Sequence, residues 1–115
     1  MRPHVWAEEP VEELGTGLGR QMLNTEHLTV ARIHLAAGAI VPAHAHHNEQ
    51  VATVLEGRLR FLVDGEEIEV GAGESLAIPA QALHEVVALT DALVLDVFSP
   101  RREDWIRGDD SYLRR

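Results

Sequence analysis

Hydrophobic and polar residues alternate in short runs along most of the chain, and Gly and Pro separate those runs. In HLTVARIHLAAG (27–38), Ala31, Ile33 and Leu35 fall on one face and Arg32 and His34 on the other, the period-two pattern of a half-buried strand. RLRFLVDG (58–65) repeats it, with Leu59, Phe61 and Val63 opposite Arg58 and Arg60. VATVLEG (51–57) is apolar almost throughout, and EIEVGAG, SLAIP, LHEVVAL and ALVLDVFS follow at similar spacing. Asp64-Gly65, Gly71-Ala72-Gly73 and Ser99-Pro100 mark turns or strand ends. Short strands at this pitch, with no long helical period between them, predict an all-β sandwich or barrel. In ALVLDVFS, Leu93, Leu95 and Val97 share one face while Val94, Asp96 and Phe98 share the other. Both faces are largely apolar, so both should be covered, one by the barrel interior and the other by a second sheet or a second subunit. A homodimer is the expectation.

The pattern fits one domain spanning 1–115, with a core over about 24–100. Residues 1–23 read as an arm, with a strand at GRQML (19–23) after the flexible T-G-L-G; residues 101–115 read as a short helical turn followed by a charged tail. The chain is 45% hydrophobic but only 4% aromatic, so Val, Leu, Ile and Ala must build the core. No apolar run approaches the roughly 20 residues of a membrane span, and the N-terminal stretch lacks the unbroken apolar segment of a secretory signal. A cytoplasmic protein without a membrane partner is therefore expected.

Charge and missing residue types narrow the chemistry. A formal charge of −9 argues against nucleic acid, whose phosphates demand a basic surface. Every basic residue is Arg, and there is neither Lys nor Cys. A lysine Schiff base, a thiolate nucleophile, a disulfide framework and a zinc-thiolate site are all excluded. Ser75, Ser99 and Ser111 lie in no nucleophile-elbow pattern. An enzyme built from this chain has a metal, carboxylates, His and Arg to work with.

Histidines supply the metal candidate. His44, His46 and His47 fall within AHAHHNEQ (43–50), and His84 lies far downstream. On an extended strand His44 and His46 point the same way and can converge on one ion. Gln50 shares their parity and Glu49 does not, provided the strand runs unbroken; a kink at His-His-Asn keeps Glu49 in play. His84 has to arrive from another strand, as a closed barrel allows. The isolated His4, His27 and His34 read better as ordinary polar residues, and His47 as an exposed neighbour of the ligands.

The segment G38-AIVPA-H44-A-H46-HNE-Q50-VATVLE-G57 resembles the first motif of the cupin family, G-x5-H-x-H-x3-4-E-x6-G. The segment G73-ESLAI-P79-A-Q81-AL-H84-EVV-A88 resembles the second, G-x5-P-x-G-x2-H-x3-N. The resemblance covers residues 27–100 and implies a double-stranded β-helix, or jelly-roll barrel, holding one divalent metal ion on His44, His46, His84 and the residue at position 50. Three positions depart from the pattern: Gln50 stands for Glu, Gln81 for Gly and Ala88 for Asn. With a neutral amide beside three neutral imidazoles, the ion keeps its full double charge. That makes a stronger Lewis acid and a better anchor for an anion, and it disfavours the higher oxidation states of oxygen chemistry. The ligand types do not choose among Ni, Fe, Mn, Co and Zn.

Asp96 shares its strand face with Val94 and Phe98. It reads either as a carboxylate satisfied by backbone donors at the strand's end or as a general acid/base with a pKa raised by apolar surroundings. Arg101 and Arg102 follow the Ser99-Pro100 turn, and one of them could present a two-pronged guanidinium to a substrate carboxylate. The stretch D96-VFSPR-R102-EDW and the region E13-LGTGLGRQML resemble KdgF-type cupins, pectin-degradation proteins that linearise 4,5-unsaturated uronates and that also carry Gln at the fourth ligand position. This resemblance implies roles in activity for Asp96, Phe98 and Arg102, with Phe98 and Arg102 contacting substrate. The expected function is ring opening of a 4,5-unsaturated uronate, a small sugar acid, to 5-keto-4-deoxyuronate. The alternatives are another cupin metalloenzyme (dioxygenase, isomerase or lyase) or a non-catalytic module that binds or senses a small molecule.

Overall fold

In the computed structural model, which describes residues 1–114, the alternating runs become strands β1 (Glu12–Glu13), β2 (Leu18–Asn24), β3 (Thr29–Leu35), β4 (Ile40–His44), β5 (Glu49–Glu56), β6 (Arg58–Val63), β7 (Glu66–Gly71), β8 (Ser75–Ile78), β9 (His84–Ala88) and β10 (Ala92–Ser99). A single helical turn, α1 (Glu103–Ile106), and a 3-10 turn at Ser111–Leu113 follow. The strands form two antiparallel sheets, ordered β1-β2-β3-β10-β5-β8 and β4-β9-β6-β7. Consecutive strands often sit in different sheets, as a jelly roll requires. The Cα radius of gyration, 13.3 Å, is what one packed domain of this length gives, about 13 Å. No helix among the described residues is long and apolar enough to cross a membrane.

The alternation works as expected. Leu59 and Phe61 of β6, Val54 of β5, Val94 of β10 and Ile78 of β8 all meet in the space between the sheets. Burying each of these side chains stabilises the fold by about 1.5–3 kcal/mol. In β10, Asp96 pairs in register with Ala31 on one side and Ala52 on the other. Both alanines are fully buried, so only small side chains flank the carboxylate along the sheet. Gly57, the last glycine of the first motif, has φ +86, and a Cβ there would lie 2.2 Å from the Asp91 carbonyl oxygen. No other residue fits that corner.

Three sequence expectations change. The arm expected over 1–23 is an arm only in part, because β2 runs the length of β3 from Leu18↔Leu35 to Asn24↔Thr29. The tail expected over 101–115 folds back instead of trailing into solvent; Arg115 lies outside the described residues. Trp105 and Leu113 bury against Ala31 and Phe98 in a second apolar cluster. Asp110, fully buried, ties this segment down through Arg20 at 2.8 Å and Arg114 at 2.8 Å, and both arginines also reach Glu12. Finally, the second face of β10 is not covered by another sheet. Leu95 and Val97 stay half-exposed, with Val51 of β5 exposed beside them.

Candidate metal and acid–base site

The two sheets deliver different parts of one site. β4 ends at His44, which pairs directly with His84 at the start of β9. β5 begins at Glu49, and its register places Gln50 beside Phe98 of β10. His44 and His46 do not share one extended strand, as the spacing suggested. β4 carries a bulge between Val41 and His44 and stops at His44, and His46 lies in the loop beyond it. That loop is pinned by Asn48, whose side-chain amide donates to the carbonyls of Pro100 (2.6 Å) and Arg101 (3.2 Å). The strand is thus broken between His44 and Glu49 and parity does not carry across it; Gln50 is nevertheless 6% exposed, while Glu49 is exposed. His47 and His27 are exposed and His4 stacks on Trp6, all away from the cluster.

The ligand atoms of His44, His46 and His84 lie within 4.8 Å of one another, a spacing one ion can bridge through bonds of about 2.1 Å after a small ring movement. Each Nδ1 sits on a backbone carbonyl: His44 on Pro42 (2.7 Å), His46 on Asn48 (3.0 Å) and His84 on Ala82 (2.8 Å). A proton on Nδ1 satisfies each carbonyl and leaves Nε2 as a lone pair aimed at the centre. Burial lowers the pKa of all three rings, to about 4 for His44 and His46, aided by their mutual proximity and by the Arg102 charge. The rings are therefore neutral at physiological pH.

His46 carries the test of whether a cation fits. Its Nε2 lies 3.2 Å from Gln50 Oε1 while its Nδ1 faces the Asn48 carbonyl. A neutral imidazole has one proton for these two acceptors, so one lone-pair contact is left without a hydrogen. A divalent ion beside Nε2 and Oε1 satisfies both. The donor set of three imidazoles thus fits one metal ion, and Gln50 Oε1 stands beside it, 3.2 Å from His46 Nε2.

Behind Gln50 sits Asp96. Its Oδ1 accepts from Gln50 Nε2 at 3.0 Å, so the donor is this side-chain amide and not the backbone at the strand's end. Its other oxygen has no hydrogen-bond partner among the described residues. Burial raises the Asp96 pKa to about 6, against the opposing pull of Gln50 and Arg102. The Gln50 amide therefore connects the two halves of the site, with its oxygen toward the histidines and its nitrogen toward the carboxylate. A glutamate there would set two carboxylates 3 Å apart, which cannot both ionise.

Arg102 is 1% exposed and lies over Phe98 (4.7 Å) and Trp105 (3.9 Å). Its two-pronged face is already used, because Nε and Nη2 bind the Asp104 carboxylate at 3.0 and 2.9 Å. Only Nη1 makes no hydrogen bond among the described residues. Arg101 points outward to Glu103. Phe98 meets His46 edge-on at 5.6 Å and Trp105 at 5.1 Å, so it walls the space between the histidines and the guanidinium. Tyr112, from the folded-back tail, stacks at 4.7 Å on His44. One cavity is lined by His44, Gln50, His84, Asp96, Arg102 and Tyr112 together with apolar barrel residues such as Phe61 and Val86. Asn48, Asp104, Trp105 and Tyr112 were not singled out by the sequence pattern, which shows nothing periodic around them.

The family described as "Cupin domain" matches residues 31–98. A solved RmlC-like cupin from Shewanella frigidimarina NCIMB 400 is 36% identical, with a TM-score of 0.84 over 89% of this chain and 93% of that one. KdgF from Halomonas sp. is 29% identical, also at TM-score 0.84, over 88% of this chain and 94% of that one. An oxalate decarboxylase variant from Bacillus subtilis, 21% identical with TM-score 0.74, shares the fold over 83% of this chain and 28% of that one. No curated protein sequence matches the chain.

Proposed function

The chain belongs to the cupin family, and on that premise we propose that it binds one divalent metal ion and opens the ring of a 4,5-unsaturated monouronate to 5-keto-4-deoxyuronate. The observation that carries this reading is the Gln50 bridge, which couples a buried carboxylate of pKa about 6 to a three-histidine site. The likeness to KdgF from Halomonas sp. supports it, as does the resemblance of the Asp96–Trp105 stretch to KdgF-type cupins.

The chemistry is a proton relocation without net addition of water. The substrate is a cyclic hemiacetal whose ring oxygen is also an enol-ether oxygen. Loss of the proton from the C1 hydroxyl lets the C1–ring oxygen bond break, giving the C1 aldehyde and a C5 enolate. Protonation at C4 then yields the C5 ketone. Asp96, half-ionised near pH 6, can take the first proton and return one to C4, which is general acid–base work of the kind a tuned carboxylate performs. Gln50 holds Asp96 in place, Phe98 walls the pocket, and Arg102 offers Nη1 to the uronate carboxylate. When bound, the metal ion supplies positive charge that orients substrate oxygens and stabilises negative charge as it develops.

The experiment is to supply unsaturated uronate to metal-loaded protein and follow loss of the enol-ether absorbance, comparing wild type with Asp96→Ala. The reading expects turnover that falls at least about 100-fold in the variant, the usual contribution of a general acid–base group. Equal rates in the two proteins, or no turnover with any of Ni, Fe, Mn, Co and Zn, overturn it.

A further inference from the structure

Because Asp104 occupies Nε and Nη2 of Arg102, the guanidinium has one nitrogen left for a carboxylate that has two oxygens. Tyr112 stands beside it. Its hydroxyl oxygen accepts from Arg102 Nη2 at 3.0 Å and from Trp105 Nε1 at 3.1 Å. Both partners can only donate, so the phenolic proton goes to neither of them. No acceptor takes it among the described residues, and Tyr112 lines the same cavity as His44, Asp96 and Arg102. The ring cannot swing away freely. It stacks on His44, and the neighbouring Leu113 and Asp110 are both buried.

We propose that Tyr112 is a ligand-binding residue, its O–H and Arg102 Nη1 together gripping the carboxylate of a sugar acid seated against the histidines. This rests on the uronate reading for the class of ligand but not for the reaction. The Arg102–Asp104 pair holds the guanidinium in place, and the Trp105 and Arg102 donors hold the phenol oxygen so that its proton faces the cavity. The folded-back tail thereby becomes part of the binding site and a determinant of selectivity for acids over neutral sugars.

The test uses the metal-loaded full chain and a non-reacting sugar acid, D-galacturonate, with its neutral methyl ester as the control ligand. Binding is measured by calorimetry for wild type and Tyr112→Phe, whose ring keeps the stacking on His44. Loss of one hydrogen bond to a charged acceptor should weaken galacturonate binding about tenfold or more and leave the ester unaffected. A variant that loses affinity for acid and ester alike has a distorted pocket, and that result overturns the proposal. So does unchanged affinity for the acid, or a wild type that does not bind it. Metal content is compared alongside and should match wild type, while melting should fall modestly because Arg102 Nη2 and Trp105 Nε1 lose their acceptor. Galacturonate binding that depends on Tyr112 without turnover of unsaturated uronate would sink the reaction and keep this inference. Turnover with an unchanged KM in Tyr112→Phe would do the reverse.

Discussion

Asp96→Asn separates what the carboxylate costs the fold from what it does for chemistry. Burial raises its pKa from the ordinary 3.8 to about 6. Between those values the folded protein holds a proton that the unfolded chain releases, so the stability present at low pH is lost as pH rises through about 6. At 1.36 kcal/mol for each pH unit of difference, metal-free wild type at pH 8 carries a cost of about 3 kcal/mol for keeping Asp96 ionised. Asparagine has the same shape, can still accept the Gln50 hydrogen bond, and has no charge to desolvate. Metal-free Asp96→Asn should therefore be more stable than wild type by up to about 3 kcal/mol at pH 8, a rise in Tm of about 10 °C for a domain of this size. The gain should shrink toward zero by pH 4. The histidines titrate alike in both proteins and cancel in the comparison. The assay is urea unfolding in chelator, followed by tryptophan fluorescence, at pH 4, 6 and 8. A metal ion beside Gln50 favours the ionised carboxylate, so loading the protein should reduce the gain. A gain of the same size at every pH, or a loss at pH 8, refutes the argument that burial sets the proton affinity of Asp96.

Three further outcomes are expected. Gln81, which stands where the second motif has glycine, has φ +67; Gln81→Gly keeps its backbone donation to the His46 carbonyl and should stabilise the protein by roughly 0.5–1 kcal/mol, read by thermal melting. His44 and His46 have folded pKa values below those of the unfolded chain, so their contribution to stability is complete above about pH 6.5 and is lost as pH falls toward 4; His44→Gln should flatten the acid side of the stability curve in metal-free protein. We also propose that the homodimer expected from β10 forms through the outer face that carries Val51, Leu95 and Val97. Light scattering should then give about 25 kDa for wild type, twice the 12.7 kDa chain, and the monomer mass for Leu95→Glu; a monomeric wild type rules this out.

The alternating runs were enough to foresee the strands, because residues such as Leu59 and Phe61 bury on one face by the same rule wherever a sheet has a covered side. Histidine spacing pointed to His44, His46 and His84, which the structure brings together, but parity gave no ground for Gln50, because the chain between His44 and Gln50 is not one strand. Asp96 was visible as a lone carboxylate on an apolar face. Of the tail, the short helical turn (Glu103–Ile106) was legible, but its fold-back onto the site was not. Trp105, Tyr112 and Leu113 reach the site because Phe98 and Ala31 offer an apolar seat and Arg20 offers a buried partner to Asp110, and these long-range matches leave no periodic trace. For the same reason the two-pronged face of Arg102 looked available: nothing in the spacing showed that Asp104, two residues on, would take it.

The strand order also dictates when each part of the site can exist. The β4-β9-β6-β7 sheet is complete once residue 88 is available, and it already pairs His44 with His84. The larger sheet is not, because its interior strand β10 joins β3 to β5. Until residues 92–99 take their place, β3 and β5 present open edges of the kind that recruit other chains. The pairing of His44 with His84 thus belongs to one sheet, and Asp96 and Phe98 to the other. The loop that carries His46 is tied by Asn48 to Pro100 and Arg101, just past β10, so the histidine cluster and the acid–base half of the site both wait on the strand that closes the larger sheet.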